Sequence, residues 1–83
     1  MNRQECMNKV VAFLKKRMEF EPESITEDSQ IMGELGFSSL TLLLMANDAE
    51  NEFNIVIEDE DMKKLVTVGN LIDFLDEKHA FGH

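Results

Sequence analysis

The longest apolar patterns in this 83-residue chain recur at the helical period, and no two segments alternate as a pair of strands would require. Helix against helix is then the layer architecture available, and the expected fold is an all-α bundle of three main helices and one short one. The spacing predicts a first helix over 2–18, with Met7, Val10, Val11, Leu14 and Met18 on one stripe and Phe13 widening it. Asn2 stands at its start with Glu5 three residues on, a variant of the capping box. Lys15, Lys16 and Arg17 fall in its last turns, where cations suit the helix dipole, and Pro22 is expected to stop it.

A connection over 19–37 follows, rich in turn formers yet carrying Ile25, Ile31, Met32, Leu35 and Phe37 at regular intervals. Those residues are expected to pin it to the core, and a loop this long inside a compact domain is often functional. The second helix is predicted over 39–53. Leu42, Met45, Ala46, Ala49 and Phe53 form a core stripe, and Leu40, Leu43, Leu44 and Asn47 form another on a different side. So small a domain does not easily bury both, so the second stripe is either a docking surface or is covered by the connection folding back, with exposure favoured for Leu43 and Leu44. A short extended link over 54–57 should point Ile55 and Ile57 inward. Glu58 opens a short helix through Leu65, acidic at its start and followed by Lys63 and Lys64, and Thr67 caps a last helix carrying Val68, Leu71, Ile72, Phe74 and Leu75. One domain over 1–78 and a frayed tail over 79–83 are expected.

The charge excludes some functions. With 17 acidic residues against 8 basic, the net charge is −9, which opposes nucleic-acid binding and favours basic partners, though it serves equally to keep a small domain in solution. The single cysteine, Cys6, can form no internal disulfide and supports no cysteine-based zinc site; beside the first stripe it reads as a packing residue, and a reducing cytoplasm suits it. Charges run throughout residues 1–20, so no signal-peptide core is present, and the apolar run at 40–46 is too short to span a bilayer.

The motif carrying most information is Gly36-Phe37-Ser38-Ser39-Leu40. It places two serines at the mouth of a helix, where free backbone N–H groups and the dipole welcome a phosphate. As a nucleophile elbow it fails, because Leu40 stands where the second glycine belongs and the only histidines, His79 and His83, lie in the tail. Those histidines have the i, i+4 spacing of metal ligands but no third ligand. The acids from Asp48 onward do not make an EF-hand, since Phe53 occupies the place of the turn glycine.

Taken with Glu50-Asn51-Glu52-Phe53, Ile57-Glu58-Asp59-Glu60-Asp61 and Thr67-Val68-Gly69-Asn70-Leu71, the stretch Leu35-Gly36-Phe37-Ser38-Ser39-Leu40 resembles the acyl carrier protein family in order and spacing, from the first helix to Leu75. The resemblance implies a four-helix fold, no enzymatic activity, and a serine modified with 4′-phosphopantetheine, whose thiol holds acyl groups as thioesters. It implies that Ser39 is the attachment site and that Ser38, a helix cap, stands where an aspartate is usual. It also implies a phosphopantetheinyl transferase and acyl-handling enzymes with basic or apolar docking patches as partners, and a monomer. Leu40, Leu43, Leu44, Asp48 and Glu50 are the expected docking residues. Thr41 and Leu44 stand where family members in fatty-acid synthesis often carry acids, which hints at a specialised pathway. Met45, Ala46, Ile57, Met62 and Leu71 either line a shelter for the cargo or simply pack the core. An unmodified interaction module of the same fold, and an aminoacyl or peptidyl carrier, are the alternative functions.

Overall fold

The computed structural model describes residues 2–18 and 22–78. Four helices follow in order: α1 (Arg3–Lys15), α2 (Ser39–Phe53), α3 (Asp59–Met62) and α4 (Val68–Glu77). The expected tail over 79–83, with His79 and His83, lies outside the described residues.

Each helix starts on a side chain that meets its orphan N–H groups. Asn2 Oδ1 accepts from the Glu5 N–H at 2.8 Å, and Ser38 Oγ accepts from the Thr41 N–H at 3.1 Å. Asp61 Oδ2 accepts from the Glu58 N–H at 3.0 Å. At α4 the box is reciprocal: Asn70 N–H donates to Thr67 Oγ1 at 3.1 Å while Thr67 N–H donates to Asn70 Oδ1 at 2.9 Å. The ends depart from expectation. α1 stops at Lys15, not at 18, and Pro22 is not what stops it, because proline disturbs only its own preceding turn. Its last turn tightens instead, with the Lys16, Arg17 and Met18 N–H groups bonding carbonyls three residues back. α3 ends at Met62 rather than Leu65 for the same reason, Lys64 and Leu65 N–H bonding the carbonyls of Asp61 and Met62. α2 matches its predicted span and closes on Asn54, held at φ 54°, a left-handed conformation asparagine tolerates well.

The core is one cluster built from α1, α2, α4 and the connection, with α1 lying against α4. Val10, Leu14, Met45, Val68, Leu71 and Leu75 are wholly buried, and full burial of such a side chain is worth roughly 1.5–3 kcal/mol. Cys6 packs among them, as its place beside the stripe predicts. The Phe13 and Phe53 rings meet at 5.7 Å and 57°, joining α1 to the end of α2.

The connection is pinned as expected through Ile31, Leu35 and Phe37, all buried, with Ile25 partly so. Met32 is the exception: it is 45% exposed, on the outward side of a turn whose neighbour Ile31 takes the inward place. Backbone bonds tie the connection to the start of α4, from Ile31 N–H to Val66 carbonyl at 2.9 Å, Val68 N–H to Ser29 carbonyl at 3.0 Å and Gly69 N–H to Glu27 carbonyl at 2.8 Å. A Cβ on Gly69 would come within 3.1 Å of that Glu27 carbonyl oxygen, so the close approach calls for glycine. Arg3 adds a side-chain clasp, its Nη1 donating to Asp73 Oδ1 at 2.7 Å and its Nε to Glu27 at 3.1 Å. The connection therefore delivers the start of α2 from a fixed base.

Candidate functional site

The mouth of α2 is set by two residues before it. Gly36 takes φ 77°, which turns the chain, and Phe37 then buries its ring while its N–H donates to the Ile31 carbonyl at 3.2 Å. With Phe37 anchored, Ser38 is placed in extended conformation as the cap, and its carbonyl accepts the first helical bond from Leu42 N–H at 2.9 Å.

The two serines then differ. Ser38 Oγ takes the Thr41 N–H and also lies 2.9 Å from Thr41 Oγ1. Ser39 is the first residue of α2, is exposed, and its hydroxyl has no hydrogen-bond partner among the described residues. The first N–H groups of a helix have no partner within it and carry partial positive charge. A phosphodiester on Ser39 Oγ would find open space and those donors, so the site suits a phosphate-linked group.

The face running from that mouth is apolar. Leu40 is 65% exposed, Leu43 57% and Leu44 39%, so the connection does not fold back over them. Their counterparts Leu42, Met45, Ala46 and Ala49 are buried, as the two-stripe pattern predicts, and Phe53 packs partly against the core. Beside the leucines an open cleft of about 330 Å³ lies between α2 and α3, lined by Leu43, Leu44, Ala46, Asn47, Glu50, Ile57, Asp59 and Met62. Of the five residues weighed as a shelter for cargo, Ala46, Ile57 and Met62 border this cleft. Met45 and Leu71 do not, being sealed in the core.

The acids of α2 are already engaged. Asp48 accepts from Arg17 through both carboxylate oxygens, at 2.7 and 2.9 Å, and this bidentate bond holds its carboxyl below the usual aspartate value. Glu50 Oε2 accepts from the Ile57 N–H at 2.9 Å, tying α2 to the link before α3. Glu52 lies 3.7 Å from Lys16 Nζ. Of the expected docking residues, Asp48 is thus paired with Arg17 and Glu50 bonded to the Ile57 backbone, while Leu40, Leu43 and Leu44 stand exposed. Pairings across 31 residues leave no local sequence signal, and the nearest hint was the basic end of α1.

Comparison with known proteins sets the class and then the family. A phosphopantetheine attachment site domain matches residues 8–75. The acyl carrier protein of Thermotoga maritima is 29% identical over 77 residues, covering 93% of this chain and 95% of that protein. The acyl carrier protein of Exiguobacterium sp. is 31% identical over 78 residues, covering 94% and 99% respectively. A solved acyl carrier protein from Enterococcus faecalis superposes with a TM-score of 0.74 at 28% identity, covering 94% of this chain and 99% of that one. The chain belongs to the acyl carrier protein family, whose prosthetic group is covalently attached 4′-phosphopantetheine. No helix among the described residues is long and apolar enough to cross a membrane, and no cluster of metal-ligating side chains occurs among them.

Proposed function

We propose that Ser39 is the attachment residue, and that residues 1–78 form one monomeric, cytoplasmic carrier domain that presents thioester-bound acyl groups to the enzymes of a fatty-acid, lipid or polyketide-type pathway. The observation that carries this reading is the division between the serines. Ser38 is spent on capping α2, whereas Ser39 offers an unbonded, exposed hydroxyl at the helix mouth. When bound, the group supplies a terminal thiol on a long flexible arm. The chain's own part is to hold the phosphate end still, by the fixed start of α2, and to offer partners the leucine face beside it. Chemistry on the cargo belongs to those partners, so the chain itself is not an enzyme. Partners include a phosphopantetheinyl transferase, which needs only reach an exposed serine.

The test is intact mass after incubation with coenzyme A and a broad-specificity transferase. A gain of one phosphopantetheine is expected for the native sequence and for Ser38→Ala, and none for Ser39→Ala. A gain that survives Ser39→Ala would move the attachment elsewhere. The exposed leucines would also serve an unmodified interaction module, and that reading requires no mass gain and full function in Ser39→Ala.

A further inference from the structure

α2 opens differently from the helices before and after it. Glu5 stands in the first turn of α1, and Asp59, Glu60 and Asp61 stand in that of α3, but the first turn of α2 holds no acidic residue. Its cap is neutral as well. Ser38 Oγ accepts the Thr41 N–H at 3.1 Å and lies 2.9 Å from Thr41 Oγ1. The Ser39 and Leu40 N–H groups are left without an acceptor among the described residues. One hydroxyl hydrogen is left over too: Ser38 and Thr41 carry two O–H donors, and the bond between them uses one, whichever of the two donates. The 15-residue α2 therefore presents its partly positive end, with unused donors, beside the Ser39 hydroxyl and with no carboxylate of its own against it. The group that the family attaches covalently is joined through a phosphodiester, which brings one negative charge.

We infer that loading stabilises the fold of this chain, the phosphodiester on Ser39 standing in for the acid missing from the first turn of α2, and that Ser38 sets the size of the effect by keeping the unloaded mouth neutral. The inference rests on the carrier reading of Ser39 and adds a consequence of loading for the chain itself. Two effects compete. A further negative charge on a chain of net −9 adds to its self-repulsion. Along α2, however, the first carboxylate is Asp48, about 13 Å along the axis from Ser39 at 1.5 Å per residue, which exceeds the screening length of about 8 Å at physiological salt, and it is paired with Arg17. The donors of the mouth belong to Ser39 and to the residues beside it, so the local attraction outweighs the distant repulsion. The mouth of α2 is then looser while a transferase must reach Ser39, and firmer once the arm is in place.

The experiment compares melting temperatures of the full chain before and after loading with coenzyme A and a broad-specificity phosphopantetheinyl transferase, at physiological ionic strength, with intact mass confirming one group per chain. The native sequence, Ser38→Asp and Ser38→Asn are measured side by side. Loading should raise the Tm of the native chain by about 2–6 °C, the shift expected when an anion meets an exposed helix start in a domain of this size. Ser38→Asp should raise the unloaded Tm and cut the gain on loading to less than about half, because its carboxylate already meets the dipole, takes up the Thr41 hydroxyl and repels the phosphodiester. Ser38→Asn has the same shape without the charge and still caps, so it should keep the native gain. An equal gain in the native chain and in Ser38→Asp overturns the inference. So does a gain cut equally in Ser38→Asn and Ser38→Asp, which would trace it to shape and not to charge. Loading of the native chain with its Tm unchanged or lowered overturns this inference alone, whereas no loading at all overturns the carrier reading of Ser39 and this with it.

Discussion

Ser38 Oγ is held by the Thr41 N–H and faces the Thr41 hydroxyl, while the neighbouring Ser39 Oγ is free among the described residues. Two adjacent serines of the same chemistry thus have different costs of removal. Ser38→Ala should lower stability by about 1 kcal/mol, the usual loss for a missing N-cap acceptor, while still accepting the prosthetic group. Ser39→Ala should change stability by no more than about 0.5 kcal/mol and abolish loading. Ser38→Asp keeps an acceptor for the Thr41 N–H and adds a negative charge to the first turn of α2, where no acidic residue now stands; a gain of about 0.3–1 kcal/mol over the native chain is expected. Denaturant titration with intact mass on the same samples checks all three. The split between the serines came from the family resemblance rather than from the residues alone, and its capping half is what Ser38 shows. The fate of Asp48 was not legible, because its partner Arg17 lies 31 positions away and only the packing of α1 on α2 brings them together.

At the level of elements, stripes and caps were legible and stops were not. The predicted span of α2 coincides with the observed one because both signals are local: a serine cap ahead and a residue suited to φ 54° behind. The cap of α4 was legible through Thr67 alone, with Asn70 filling the reciprocal place usually taken by Glu or Gln. α1 fails the same test, having neither glycine nor proline at its end; its last turn tightens where Arg17 must reach Asp48, a tertiary demand the sequence does not display. Met32 was misplaced because a turn has no fixed period from which to read facing. The α4 box gives the element-scale prediction. Asn70 Oδ1 receives the N–H groups of both Thr67 and Val66, at 2.9 and 3.3 Å, whereas Thr67 Oγ1 receives only that of Asn70. Thr67→Ala should therefore cost about 1 kcal/mol, and Asn70→Ala about the same, since each removes one acceptor of the box and the freed N–H groups are exposed to water. Thermal melts of the two variants check this, and a harmless Asn70→Ala would mean that water replaces its bonds without loss.

For the molecule as a whole, the governing fact is a net charge of −9 on 83 residues. Such an excess destabilises the compact state through self-repulsion, so added salt should raise the melting temperature of the native chain. Acid acts in two opposed ways. Protonating exposed carboxylates first relieves repulsion, which stabilises. Two carboxylates resist: Glu27, through its hydrogen bonds from Arg3, and Asp48, through its hydrogen bonds from Arg17, both titrate below their ordinary values of 4.5 and 3.8. A folded value lower than the unfolded one means that these groups stabilise the fold above the unfolded value and lose that contribution as the pH falls through the folded one. Stability should therefore rise as pH is lowered from neutrality, pass a maximum, and fall once the solution is more acidic than those ordinary values. In Glu27→Gln with Asp48→Asn the amides neither titrate nor repel. The variant should be less stable than the native chain near neutrality, gain less on mild acidification, and lose less below the maximum. Melts across pH at fixed ionic strength measure both limbs. An unchanged acid limb in the double variant would mean that neither clasp, Arg3 with the connection or Arg17 with α2, contributes to holding the helices together, and the fixed base assigned to the mouth of α2 would then rest on the buried pins Ile31, Leu35 and Phe37 and on the backbone bonds between the connection and the start of α4.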